Sequence, residues 1–439
     1  MPQTWIQRVE SYFEFQELQT NWKTEVLAGC TTFITMAYIV FVNPSILKDA
    51  GMPVASVTIA TCLASAFACI LMGIVARYPI ALAPGMGLNA YFTYTVVKGM
   101  GVSWETALGA VFISGVTFLV LTAVGVRQWI VSCIPPELYS AVGAGIGLFL
   151  AFIGLRNTGI VRADPATLVT LGNLSDPNTA LALFGILLIG SLEAWKVRGS
   201  ILIGILGTTL LAAVTGLLGA APESGGLSAL SGTFMHLDIA GAVGIGLVDI
   251  VFVFLFVDMF DNIGTLVAIS KKARLIGADG KIPRVNRILF TDAIATIGGS
   301  LLGTTTVVGY IESVAGVAAG GRTGVPSIVT GLLFLAAMFL APVIGAVPSA
   351  ATAPALIIVG GMMISSVKEV DWDDPRVGVP AFLTLITIPL TFSIANGLAF
   401  GITSYVLIRV IRGEGRQIPW GSYPLAAILL ARFVYLGQG

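Results

Sequence analysis

The sequence predicts an all-α polytopic membrane protein, and three observations carry that reading. Hydrophobic residues make up 56% of the chain and charged residues only 10%, where a soluble domain carries about 25% charge. Mean hydropathy is +0.94. Apolar stretches recur along almost the whole chain, at the roughly 20-residue length that a helix needs to cross a bilayer. The 52 glycines suit closely packed membrane helices. Net charge is zero, so no bulk field points to nucleic acid as a partner.

Taken in order, residues 5–22 (WIQRVESYFEFQELQTNW) read as an amphipathic helix on the membrane surface, inside a cytoplasmic interfacial segment 1–23. They are too charged for a secretory signal, and the first span itself directs insertion. Crossing segments then centre near residues 34, 66, 90, 114, 147, 187, 209, 257, 294, 315, 336, 358, 386 and 402, which makes fourteen. The tail YPLAAILLARFVYLG, within 413–439, reads as a cytoplasmic or interfacial piece. Lys and Arg test the count. With fourteen spans both termini share a side, which holds 19 of the 23 basic residues; the other side has Lys48, Lys98, Arg156 and Arg162. The positive-inside rule puts the crowded side, and both termini, in the cytoplasm of a multi-pass protein of the cell (inner) membrane. Cys30, Cys62, Cys69 and Cys133 lie in or beside apolar runs without metal-ligand spacing. They read as unpaired packing residues, and neither a metal nor a cofactor is expected.

Two segments refuse to be ordinary helices. In ALAPGMGLNAYF (81–92), Pro84, Gly85 and Gly87 break a helix. In GTTTVVGYIESVAGVAAGGRTG (303–324), Thr304 to Val308 are all β-branched and favour extended backbone. Gly309 then allows a change of direction, and a half-helix starts near YIES. These are the third and tenth spans, equivalent positions in two halves of seven. Paired broken spans are a sequence pointer to a transporter site between repeats, because non-helical backbone at that depth survives only inside protein or along a cavity.

Acids inside the apolar runs mark the same place. A mid-membrane carboxylate costs at least ~2.5–3.5 kcal/mol, so it faces a cavity or a partner and usually works. Asp258 and Asp261 are three apart on one helix face, which Thr265 extends. Asp292 lies two turns into the ninth span. Glu312 opens the half-helix of the tenth, where free N–H groups favour a carboxylate. Asp249, at the outer start of the eighth span, reads as a solvated cap. For Asp258 a plain helix–helix hydrogen bond competes equally with a functional role.

The motifs TMAYIVFVNPSIL, ALAPGMGLNAYF, GIGLFLAFIGLRNTGIV, FVDMFDNIGTLV, YIESVAGVAAGGRTG, ATAPALIIVG and PLTFSIANGLAFG together resemble the AzgA-like purine permeases of the nucleobase:cation symporter 2 group, over about residues 20–412. The resemblance implies seven plus seven inverted repeats, with short strands in broken spans three and ten. It implies a core domain (24–126, spans 1–4; 239–347, spans 8–11) and a gate domain (127–238, spans 5–7; 348–412, spans 12–14). It places one functional acid before xIG in span eight, here Asp261 of DNIG, and another after the span-ten strand, here Glu312 of YIES. The uracil branch has a histidine in its first span. This chain has none there; its only histidine, His236, falls in an outer loop, and Asn43 is the polar residue of span one. A coupling proton would therefore ride on a carboxylate.

The expected function is secondary active import of adenine, guanine or hypoxanthine by proton symport with alternating access, not enzymatic chemistry. A neutral base needs a flat apolar slot and a few aimed hydrogen-bond partners. An ionised Glu accepts two donors side by side, as guanine offers them; a protonated carboxyl offers one donor and one acceptor, which matches adenine. Glu312, Asp261, Asn89, Tyr310, Phe260 and Thr304 are the substrate-binding candidates. Asp261, Glu312, Asp292, Asp258 and Thr265 are those for proton coupling. Tyr91, Phe92 and Phe256 are further candidates for a stacking wall, and Thr305 and Asn396 for polar contacts. Two other readings stand beside this one: an anion transporter of the same fold, using helix N-termini for the substrate, and an intramembrane aspartyl protease, for which no Gly-x-Gly-Asp stretch is found. Beyond the purine, the proton and the lipid bilayer, a homodimer is left open.

Overall fold

The chain enters through α1 (Trp5–Tyr12), shorter than residues 5–22 suggest. The computed structural model describes residues 5–125, 136–218, 227–244, 247–275 and 282–436. The helix stops because Phe13 and Phe15 turn inward onto Val325, while Glu14 takes a left-handed backbone at φ 61°. Its carboxylate pairs with Arg77 at 3.1 Å and with Arg284.

The helices that follow are α2 (Trp22–Met36), α3 (Ile39–Lys48), α4 (Val54–Leu71), α5 (Met86–Ala90), α6 (Trp104–Val124), α7 (Pro136–Asn157), α8 (Pro177–Ala194), α9 (Ser200–Thr215) and α10 (Ile239–Gly244). Then come α11 (Leu247–Ala273), α12 (Val285–Leu302), α13 (Ser313–Ala318), α14 (Val325–Ala337), α15 (Ala341–Gly345), α16 (Ser349–Met363), α17 (Pro375–Thr391), α18 (Ile394–Ile411) and α19 (Ser422–Leu436). Local chemistry sets many starts. Asn21, Ser103, Asp176, Asp374 and Ser393 each cap a helix with a side-chain oxygen, satisfying N–H groups that the first turn leaves free.

Among the described residues seven helical segments are long and apolar enough to cross a bilayer: Trp22–Lys48, Val54–Ala76, Trp104–Val124, Leu138–Asn157, Pro177–Ala194, Ser349–Glu369 and Ile394–Ile411. Shorter apolar helices cover Ser200–Thr215, Val325–Leu340, Pro375–Thr391 and Ser422–Ala431. The protein is thus a largely helical, multi-pass membrane protein.

Two short strands, β1 (Leu82–Pro84) and β4 (Val307–Gly309), pair antiparallel with Leu82 opposite Gly309 and Pro84 opposite Val307. A second pair, β2 (Val161–Asp164) with β3 (Leu168–Leu171), is an exposed hairpin that the sequence reading did not anticipate. Asp164 makes its turn, accepting from the N–H groups of Ala166 and Thr167 at 2.8 and 2.9 Å.

Two sets of helices pack mainly within themselves. In one, α14 lies along α4 and α2, α12 along α6 and α4, and α11 against α6 and α13. In the other, α7 lies along α16 and α17, α17 along α18, and α8 along α9 and α16. The sets meet where α3 touches α16 and α5 touches α7. Glycine makes that last contact close: a Cβ on Gly87 would sit 2.6 Å from a methyl of Ile146.

Candidate functional site

The β1–β4 pair is the frame of the site. Strands this short leave backbone groups on both edges, and side chains from four helices satisfy them, as a buried backbone requires. Cys69 exchanges hydrogen bonds with Leu82 at 3.2 Å, Ser313 accepts from Ala81 N–H at 3.0 Å, and Thr296 donates to the Val307 carbonyl at 3.1 Å. Asn262 accepts from Gly309 N–H at 2.8 Å. Cys30, Cys62 and Cys69 are all unpaired, as their spacing suggested; Cys133 lies outside the described residues.

Glu312 stands where β4 turns into α13. It does not cap that helix through its side chain, contrary to the expectation from its position. Its carboxylate instead accepts from the hydroxyl of Tyr38 at 2.5 Å. Tyr38 is wholly buried in the break between α2 and α3. Glu312 itself is only half-buried, and neighbouring Ile311 is 46% exposed. The acid is therefore partly accessible while one of its oxygens is held.

A closed polar network joins the two interrupted segments to α3 and α4. Asn43 donates to Thr61 at 2.7 Å and to Thr304 at 3.0 Å. Asn89 donates to Asn43 at 2.6 Å and accepts from Thr305. All five side chains are fully buried, so Asn89 and Thr304 are tied to each other through Asn43. Tyr310 is also buried and donates to the Pro84 carbonyl at 2.6 Å. Tyr91, Phe92 and Phe256 are wholly buried, with Tyr91 packed edge-on against Phe254 at 5.2 Å. Asn396 sits half-buried in the first turn of α18. His236 is exposed and stacks on Trp104, in keeping with a loop residue.

The other acids gather around Asn262. Its single amide nitrogen donates to Asp258 at 2.6 Å and to Asp292 at 2.8 Å. Both aspartates are 1% exposed. One N–H₂ group thus joins carboxyls from α11 and α12, while its carbonyl holds strand β4. Thr265, Asn262, Asp292 and Gly309 line a cavity of about 10 Å³, roughly the room one water needs. The side chains of Phe260, Asp261 and Asp249 lie outside the described residues, so the face that Asp258 and Asp261 were expected to share is not described.

Sequence reasoning missed three residues here. Asn262 and Tyr38 stand inside quoted motifs, but their partners are distant in the chain. Glu25 is a fully buried acid whose carboxylate accepts from Arg322 N–H at 3.0 Å and from Thr323 N–H at 3.1 Å. Glu25 stands just past the segment 5–22 that read as interfacial, and was not singled out.

Comparison with known proteins fits this arrangement. The sequence description of the Permease family (Xan_ur_permease) matches residues 23–400. The chain is 54% identical to the protein MJ0326 of Methanocaldococcus jannaschii, over 98% of each chain. It is 42% identical to the adenine permease AdeP of Escherichia coli, over 98% of this chain and 96% of that one. It is 43% identical to the guanine/hypoxanthine permease PbuG of Bacillus subtilis, over 98% of this chain and 100% of that one. Among solved structures, the transmembrane domain of the cyanobacterial bicarbonate transporter BicA is similar with a TM-score of 0.64 at 16% identity, covering 88% of this chain and 97% of that one. That is a likeness of fold alone. With its family matched from the first long helix to the last, the chain belongs to the permease family, as a membrane transporter of the AzgA-like purine permease kind.

Proposed function

We propose that this chain imports purine nucleobases by proton symport, with adenine, guanine and hypoxanthine as substrates. The observation that carries the reading is Glu312, a half-buried acid at a strand–helix junction with one oxygen held by Tyr38. A neutral heterocycle would lie there against the buried Asn43–Asn89–Thr305 wall and offer its N–H edge to the carboxylate. The names of AdeP and PbuG support a purine.

The coupling proton rides on the acids of α11 and α12. Asp261 is the first carrier, and Asp258 and Asp292 form a reserve bridged by Asn262. Two carboxyls on one amide repel when both are charged, so such a pair is suited to holding a proton and releasing it. Asn262 also grips β4, two residues before Ile311, and so links proton state to the position of Glu312. Transport would proceed through fourteen crossings in two inverted sevens, the broken spans being the third and tenth. The core (24–126, 239–347) would rock against the gate (127–238, 348–412), with both termini cytoplasmic. The anion reading rests on fold alone, and Glu312 sets a negative charge where an anion would bind.

Radiolabelled adenine uptake into vesicles, with and without an inward proton gradient, tests the proposal. Uptake should rise with the gradient and be competed by guanine or hypoxanthine, not by urate or sulfate. Strong inhibition by urate or sulfate would favour an anion carrier, and labelling of a tag after Gly439 from outside intact cells would overturn the topology.

A further inference from the structure

A polar cleft of about 260 Å³ lies where the two helix sets meet. Its walls include Phe41, Ser45, Lys48 and Asp49 on one side, and Asn157 of α7 with Thr352 of α16 on the other. A seam of hydrogen bonds closes beside it. Tyr94 Oη donates to Asp49 Oδ2 at 2.7 Å and accepts from Asn157 Nδ2 at 3.1 Å. The hydroxyls of Ser45 and Thr352 are 3.0 Å apart. Thr95 Oγ1 donates to the carbonyl of Phe392, whose backbone is left-handed at φ 51°, uncommon for a bulky residue.

The seam stands about one turn from the buried Asn43–Asn89 network. Ser45 is two residues from Asn43 on α3. Tyr94 is five residues from Asn89, and Tyr91–Val97 is π-helical, with bonds that step five residues. Thr93 donates to the Ile46 carbonyl at 3.3 Å and fastens this segment to α3. Movement at the seam is thereby tied to movement of the wall.

We propose that the cleft is the outer mouth of the substrate path and that Tyr94 is the latch holding it shut, by joining Asp49 on one helix set to Asn157 on the other. A phenol suits the task because one oxygen donates and accepts at once. Both partners border the cleft, so water replaces the latch when it opens and the bond's net worth stays small. The side and the ligand, a planar neutral nucleobase, rest on the function proposed above.

The test uses the full-length protein with Cys30→Ser and Cys133→Ser, the buried Cys62 and Cys69 kept, and Ser45→Cys introduced, in right-side-out vesicles. Tyr94→Phe keeps the ring and removes the bridge. Labelling by a membrane-impermeant maleimide should then be about fivefold faster, the population shift expected from one lost hydrogen bond. Asn157→Ala removes the same bridge from the other side if Tyr94→Phe fails to fold. Ser45→Cys with Thr352→Cys should cross-link under copper phenanthroline, which takes two electrons from the thiol pair. Adenine uptake should then fall to background and return with dithiothreitol. Unchanged labelling without the Tyr94 hydroxyl overturns the latch. Failure to cross-link, or full uptake by the cross-linked protein, overturns the mouth. Labelling needs no substrate, so faster labelling in a protein that takes up no purine keeps the latch and removes only the purine reading.

Discussion

The two acidic regions of this chain answer the same bilayer in opposite ways. Glu312 stands on interrupted backbone, half-buried beside exposed Ile311, with one hydroxyl donor from Tyr38. Asp258 and Asp292 stand on unbroken helices, each 1% exposed, and share the amide of Asn262. Breaking a helix frees backbone groups that must be paired again, and that pairing builds a framed opening. Keeping helices whole hides the acids where only another side chain can meet them. The first arrangement suits recognition of a ligand, and the second suits custody of a proton.

The strongest way to break the comparison is to remove its joint. Asn262→Leu leaves Gly309 N–H without this acceptor and both aspartates without this donor, at ~1–3 kcal/mol for each group left unpaired. A large fall in folded yield and in the unfolding midpoint in detergent should result. A variant as stable as the parent would mean that the acid pair is not anchored through this residue. Asp261→Asn keeps the shape of the side chain and mimics its protonated form. It should still bind purine, measured by calorimetry, yet lose accumulation against a gradient and the pH dependence of uptake. Abolished binding would move Asp261 into the substrate site.

Glu312→Gln sharpens the other side. It keeps one donor and one acceptor but no longer presents two acceptors. Guanine should weaken more than adenine, by the ~1.5–3 kcal/mol of a charge-assisted bond, or roughly tenfold to hundredfold in Kd. Equal losses for both bases would argue against a carboxylate–guanine pair. The smallest effect belongs to an acid outside the spans, which sets the scale. The Arg376 side chain and N–H bonded to Asp374 hold its carboxyl down to about 2 from 3.8. A lowered folded value stabilises above the unfolded one and fades as pH falls through the folded one. Asp374→Asn should therefore cost a little stability at neutral pH, less as pH falls through ~2, and nothing well below it, where the wild-type group is protonated as well. Unfolding midpoints compared across that window would check the sign.

Much of the site's frame was legible in the sequence because its causes are local. Pro84 with Gly85 and Gly87, and the β-branched run Thr304–Val308, announce breaks that any chain of these residues would make. The presence of acids was equally plain. Their partners were not, because pairing is a matter of distance folded away. Tyr38 reaches Glu312 across 274 residues, and Asn262 reaches Asp292 across 30. Periodicity puts Asp258 on a face but is silent about what lies opposite. The end of α1 at Tyr12 was missed for a similar reason: residues 5–22 read as one surface helix, whereas Phe13 and Phe15 are buried against Val325.

The β1–β4 joint also has a bearing on how the protein is made. Its two strands belong to opposite ends of synthesis: Tyr310 bonds to a carbonyl 226 residues earlier. Until β4 emerges, Leu82 to Pro84 lack their ladder partners, in a solvent that offers none. Contacts between such distant segments form late, after the loop between them has been closed. The first half is therefore inserted long before it is finished, an unsatisfied template waiting on its counterpart. A ribosome stalled before residue 303 should leave a nascent chain sensitive to protease at 81–87, and a few dozen residues more should protect it.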